Sequence, residues 1–225
     1  MIFYLSLLFI PSFYALNLSF KNLKNNKLNL ENKISWNLFF LLLIIVFGLR
    51  FEIGADWETY LKIFNQSQKL NFLELIKFNV QVNDFSYMLL NKFSSFLGTG
   101  IYGVNLFAGL IFLFGVFKFC ERQINPWLSL ALCVPYLIIV VGMGFTRQAI
   151  ALGIILYSLT FIFENKIFRF LFLVLLSSTF HDSAIIYILL LLVLFTRKIL
   201  KQLIIFATIP ICIFILLFFY FDVSS

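Results

Sequence analysis

The chain has 225 residues, 62% hydrophobic and 12% charged, with a net charge of +7, and its mean hydropathy is +1.02. A soluble domain is about half apolar and about a quarter charged, so the composition excludes a water-soluble globular fold. The apolar stretches run on without alternation, and lipid offers no partner to backbone N–H and C=O groups, so membrane-spanning helices are expected rather than a barrel.

Apolar runs at 2 to 19, 36 to 50, 101 to 117, 126 to 142, 145 to 163, 167 to 180, 183 to 196 and 203 to 220 predict an all-α, polytopic membrane protein. They imply eight spans in a single helical domain, residues 1 to 225. The first run has no basic residue before it, which argues against a cleaved signal peptide and for a first span entering with its N-terminus outside.

From that start, the connections at 20 to 35, 118 to 125, 164 to 169 and 197 to 202 fall in the cytoplasm. They hold 11 of the 17 basic residues but only three of the 10 acidic ones, Glu31, Glu121 and Glu164. Basic residues collect in cytoplasmic loops, so this topology agrees with the charge in every connection.

Residues 51 to 100 form the longest polar connection. If FSYMLLNKFSSFLG, at 85 to 98, crossed the bilayer, every later basic loop would face outward. Asn91 and Lys92 in its middle also disfavour lipid burial. It is therefore expected as an interfacial or re-entrant helix, with NFLELIKF at 71 to 78 as a second interfacial one.

Cys120, Cys133 and Cys212 are widely spaced, without a CxxC or Cys/His cluster, and read as packing residues. The 32 Phe read as lipid-facing bulk. No polar surface interleaves basic with aromatic residues, so no nucleic-acid partner is expected. Neither a metal nor another cofactor is expected.

The remaining ionisable residues gather on the outer side. Arg50 ends the second run, and Glu52, Asp56, Glu58 and Tyr60 follow in GLRFEIGADWETY. Arg147 and Gln148 open the fifth in GMGFTRQAIA; its guanidinium fork can hold two phosphate oxygens at a helix start that itself favours anions. The alternative is an arginine snorkelling to the headgroups.

His181, the single histidine, sits with Asp182 and Ser183 in FHDSA. An imidazole near neutrality can accept a hydroxyl proton, or serve as a hydrogen-bonded structural group. Asp56 and Tyr60, four residues apart, share a face if a helix starts there. Asp56 then caps that helix, pairs with Arg50 or binds a sugar hydroxyl. Trp57 and Tyr87 are interfacial anchors or sugar-stacking rings.

Three of these pieces, GLRFEIGADWETY, FTRQAIALGI and FHDSAIIYI, resemble in order and spacing the motifs of the EpsG family of Wzy-like bacterial polysaccharide polymerases. The resemblance covers about residues 36 to 195. It implies a helical fold related to the GT-C glycosyltransferases and a location in the bacterial inner membrane. It also implies an extracytoplasmic transferase that joins undecaprenyl-diphosphate-linked oligosaccharide repeats during capsule, exopolysaccharide or O-antigen biosynthesis.

Carried over, the matching positions are Arg50, Asp56, Tyr60, Arg147, Gln148, His181 and Ser183. His181 and Asp56 are then the candidate catalytic residues; the other five bind diphosphate or sugar. The partners implied are the lipid-linked oligosaccharides, membrane lipids, a flippase and a chain-length regulator. A lipid-linked glycan transporter or flippase and a membrane O-acyltransferase are the alternative readings. Members of the family usually run about a hundred residues further, so a shortened member is expected.

Overall fold

The computed structural model describes residues 2 to 17, 30 to 54, 56 to 70, 85 to 162, 164 to 191 and the isolated positions 206, 208 and 210. Apart from short turns and connections these residues are helical, with no strand among them. Two compact units divide the chain, Met1–Ile185 and Ile186–Ser225, and the packing described next belongs to the first.

Its elements are α1 (Ile2–Asn17), α2 (Leu30–Gly48), α3 (Trp57–Lys69), α4 (Phe85–Phe96), α5 (Gly100–Cys120), α6 (Pro126–Cys133), α7 (Thr146–Ile162) and α8 (Ile167–Ser178). A π-helical stretch, Val134–Gly142, continues α6. Pro135 lies at its start, where a proline has no N–H to donate and its ring crowds the preceding turn; a widened turn accommodates both.

The central helix is α5, packed against α2, α4 and α7; α7 in turn packs on α8, and α1 on α6. At 21 residues, α5 is the one helix among the described residues long and apolar enough to cross a bilayer by itself. Shorter apolar helices cover Ser6–Asn17, Lys33–Gly48, Pro126–Gly142, Thr146–Ile162 and Ile167–Ser178.

Apolar residues occupy both faces of these helices. In α2, Trp36, Phe39, Leu43 and Phe47 are buried, while Ile34, Leu38, Leu41 and Ile45 are exposed at helical spacing on the opposite side. Exposed Phe168, Phe172 and Leu175 repeat the pattern on α8. A helix apolar all round needs an apolar surrounding, and the outer surface is that of a membrane protein.

The helices run alternately up and down. Tyr14 near the end of α1 stacks on Trp127 at the start of α6, with ring centroids 4.5 Å apart, and its hydroxyl lies 2.8 Å from Ser35 Oγ. Trp36, in the second turn of α2, meets Trp127 edge to face at 4.9 Å and donates Nε1–H to Glu121 just past α5 at 3.1 Å. Glu164, past α7, pairs with Arg122 and Lys166; these two cations hold its carboxyl below the usual glutamate range. The connections carrying Lys118, Arg122 and Lys166 therefore meet at one end of the bundle.

Of two further elements, the first fits the expected interfacial or re-entrant helix and the second differs from expectation. The α4 segment has only 12 residues, too few for a span of roughly 20. Ser86 in its first turn bonds through Oγ to Thr179 Oγ1 at 2.6 Å, beyond the end of α8. Its last turn leads through Gly98 and Gly100, both at positive φ, into α5. Both ends of α4 thus stay at the end of the bundle opposite the ion pairs.

The run expected as a helix from 183 onward forms a 3-10 helix, Asp182–Leu189, in its first half. Ala184 is its one buried residue, so little packing imposes α-helical register. The 71 to 78 segment, the 197 to 202 connection and the span expected at 203 to 220 lie outside the described residues, the isolated positions 206, 208 and 210 excepted.

Candidate active site

The end of the bundle opposite the ion pairs gathers the ends of α2 and α8 with the starts of α3, α4, α5 and α7. An apolar cluster builds its floor: Trp57, Tyr60, Phe64, Tyr87, Val104 and Ile150 are buried together, with Phe180 packed against them.

Arg50, two residues past α2, is 5% exposed. Its Nη1 donates to the carbonyls of Gly142 (3.0 Å) and Met143 (2.7 Å). Its Nη2 donates to Asn105 Oδ1 (3.0 Å) on α5 and to Thr146 Oγ1 (2.5 Å), the first residue of α7. Pairing with Asp56, one of the three readings open to that carboxylate, is not among these bonds.

Beyond Arg50 the chain turns through Gly54 at φ +110°, a conformation that disfavours any residue with a side chain. A Cβ there would lie 2.8 Å from Gly144 O. The loop backbone is therefore pressed directly onto the 142 to 146 bend, and α3 begins after it.

Asp56 occupies the N-cap position of α3, but its side chain makes no capping hydrogen bond, leaving the half-buried carboxylate unspent. One turn on, Tyr60 is buried and its ring lies under the Arg147 guanidinium at 5.9 Å. Burial raises the pKa of the Tyr60 phenol, and the charge of Arg147 with hydrogen bonds from its side chain and backbone N–H draws it back. Tyr60 also meets Tyr87 edge to face at 5.6 Å.

Arg50, Tyr60 and Arg147, distant in sequence, thus share one cluster with Asp56 at its edge. Arg147 is half-buried, while Gln148 is exposed beside it. His181 enters none of these contacts: its segment is tied in by Ser86–Thr179 and by Phe180, and its half-buried imidazole makes no hydrogen bond to another described residue. Ser183 is exposed on the 3-10 helix.

Sequence reasoning missed Asn105 and Thr146. Asn105 had a signal, as an isolated amide in an otherwise apolar helix; Thr146 lay inside the FTRQ piece without distinguishing itself. Tyr87 was noted only for its ring. Its hydroxyl, buried and with no protein partner among the described residues, leaves the cluster spare hydrogen-bonding capacity.

Fold and site together define a helical membrane protein with a cationic, aromatic-walled cluster at one end. The chain belongs to the EpsG family, whose model matches residues 33–225, and the resemblance drawn from the three sequence pieces is thereby confirmed. No curated protein and no solved structure matches the chain.

Proposed function

We propose that the protein is a polymerase-type glycosyltransferase that joins undecaprenyl-diphosphate-linked oligosaccharide repeats at the extracytoplasmic face of the bacterial inner membrane. The observation that carries this reading is the convergence of the first two family pieces around Arg50, Tyr60 and Arg147, at the end opposite the Arg122–Glu164–Lys166 ion pairs. The eight-span topology and the GT-C-like relation belong to the same reading.

In the reaction, an acceptor hydroxyl oxygen forms a bond to the anomeric carbon of the donor. The bond from that carbon to the phosphate oxygen breaks, and the polyprenyl diphosphate leaves with the electron pair. Arg147 holds that leaving group, with the N–H groups opening α7 beside it; preorganised positive charge stabilises the charge that develops there. Asp56 takes the acceptor proton, because its carboxylate is spent on no cap and lies one turn from Tyr60. His181 and Ser183, outside the cluster, bind the incoming acceptor, while Gln148 reaches the donor sugar.

The test is complementation of a host lacking its polymerase, with lipid-linked glycans resolved by length. The wild-type chain restores long products, Asp56→Asn leaves single repeats, and His181→Ala gives a partial ladder. Persistent single repeats with the wild type would overturn the polymerase reading. A full ladder with Asp56→Asn would remove Asp56 from the chemistry.

Orientation has its own check. A cysteine placed at Lys69, exposed at the end of α3, is expected to react with a membrane-impermeant maleimide added outside intact cells. Labelling only after the cytoplasm is opened would refute the outward placement.

A further inference from the structure

We infer that Arg50 is a positioning residue, which fixes the bend between the π-helical stretch and α7 and so sets where Arg147 stands. The inference rests on the reading of Arg147 as the group that holds the lipid diphosphate.

Packing delivers Arg50 to the bend. A Cβ on Gly142 would come within 2.6 Å of the Phe112 ring and 2.7 Å of the Phe47 ring, so the end of the π stretch lies close against α2 and α5. The last carbonyls of a helix lack intrahelical donors, and its dipole is negative there. Two of these carbonyls, Gly142 and Met143, receive Nη1 of Arg50, while Nη2 reaches across to Thr146 and is braced by Asn105. One guanidinium thereby ties the backbone before the bend to the hydroxyl after it, next to Arg147.

The hydrogen inventory separates positioning from direct grip. The two terminal nitrogens of an arginine carry four N–H bonds, and the four acceptors above use them all. The fork that would clasp a phosphate is already occupied, leaving only Nε without a protein acceptor among the described residues. Lysine cannot substitute, since one ammonium on a flexible stem does not span carbonyls and hydroxyl in fixed directions.

The test is a double-mutant cycle on the purified full chain in detergent, with undecaprenyl diphosphate as the probe and its affinity read by thermal shift. With Arg147 present, Arg50→Lys is expected to weaken binding about tenfold and Thr146→Val about threefold. In an Arg147→Lys background each should cost less than about twofold, because residues acting through one another are non-additive.

Equal factors in both backgrounds would overturn the inference, as would a wild-type chain that does not bind the probe. If Arg50→Lys does not fold, Thr146→Val carries the cycle alone, since it removes one hydroxyl and leaves the shape. Coupled binding without glycan extension would overturn the polymerase reading and leave the positioning role standing.

Discussion

Gly115→Ala is expected to cost the protein its folded bundle. A Cβ at Gly115 would stand 1.8 Å from Gly153 O and 2.5 Å from its carbonyl carbon, and one at Gly153 would stand 2.5 Å from Phe112 Cα. These are backbone atoms, so no rotamer change relieves the clash. The α5 and α7 helices must move apart, along the crossing on which α8 and the site are built. Close backbone approach at small residues is how membrane helices gain dispersion contacts where lipid removes the hydrophobic drive.

Separating the helices should cost at least about 3 kcal/mol, seen as aggregation or a large fall in Tm in detergent. Gly144→Ala is the control: nothing lies within 4 Å of its Cβ position, and its stability should change by less than about 1 kcal/mol. A Gly115→Ala protein melting within a few degrees of wild type would show that the helices cross less closely than described.

Arg147→Ala should lower glycan extension by about a hundredfold to a thousandfold, the usual cost of removing one group aimed at a developing negative charge. Stability should change little, because a partly exposed cation over a ring, as Arg147 is over Tyr60, contributes about 0.5–1 kcal/mol. Arg147→Lys keeps the charge without the fork, so an intermediate ladder is expected. An arginine that only anchors the helix in the headgroups predicts the opposite: a full ladder from the lysine variant and a nearly full one from alanine.

The two tests probe different links. Gly115 decides whether the bundle exists, and Arg147 decides what it does to a diphosphate. Arg50 stands between them, which is why its variants must be read against Arg147.

Much of the fold was legible along the chain because the bilayer imposes a local rule: a helix must be apolar to enter it. The runs at 101 to 117, 145 to 163 and 167 to 180 became α5, α7 and α8 with no end shifted by more than three residues. The basic connections at 118 to 125 and 164 to 169 meet through Arg122 and Glu164, since charges excluded from lipid collect where helices end.

Candidate site residues were visible as ionisable side chains at the ends of apolar runs. Their division of labour was not. By residue type Arg50 and Arg147 are equivalent cations, and only the four acceptors around Arg50, brought from α5, the π stretch and α7, distinguish the clamp from the cation that opens α7 over Tyr60. Likewise Asn105 and Tyr87 sit in segments whose hydropathy says nothing of what they face. Gly115 and Gly153, 38 positions apart, reveal their purpose only where two backbones touch.

Composition and periodicity report each residue's preference for lipid or water, and this by itself determined the helical membrane class and the charge asymmetry, while the family was legible only through the resemblance of three short pieces. Which polar groups meet depends on helix crossings between segments far apart in sequence. That is pairwise, non-local information, and only the tertiary structure decided it.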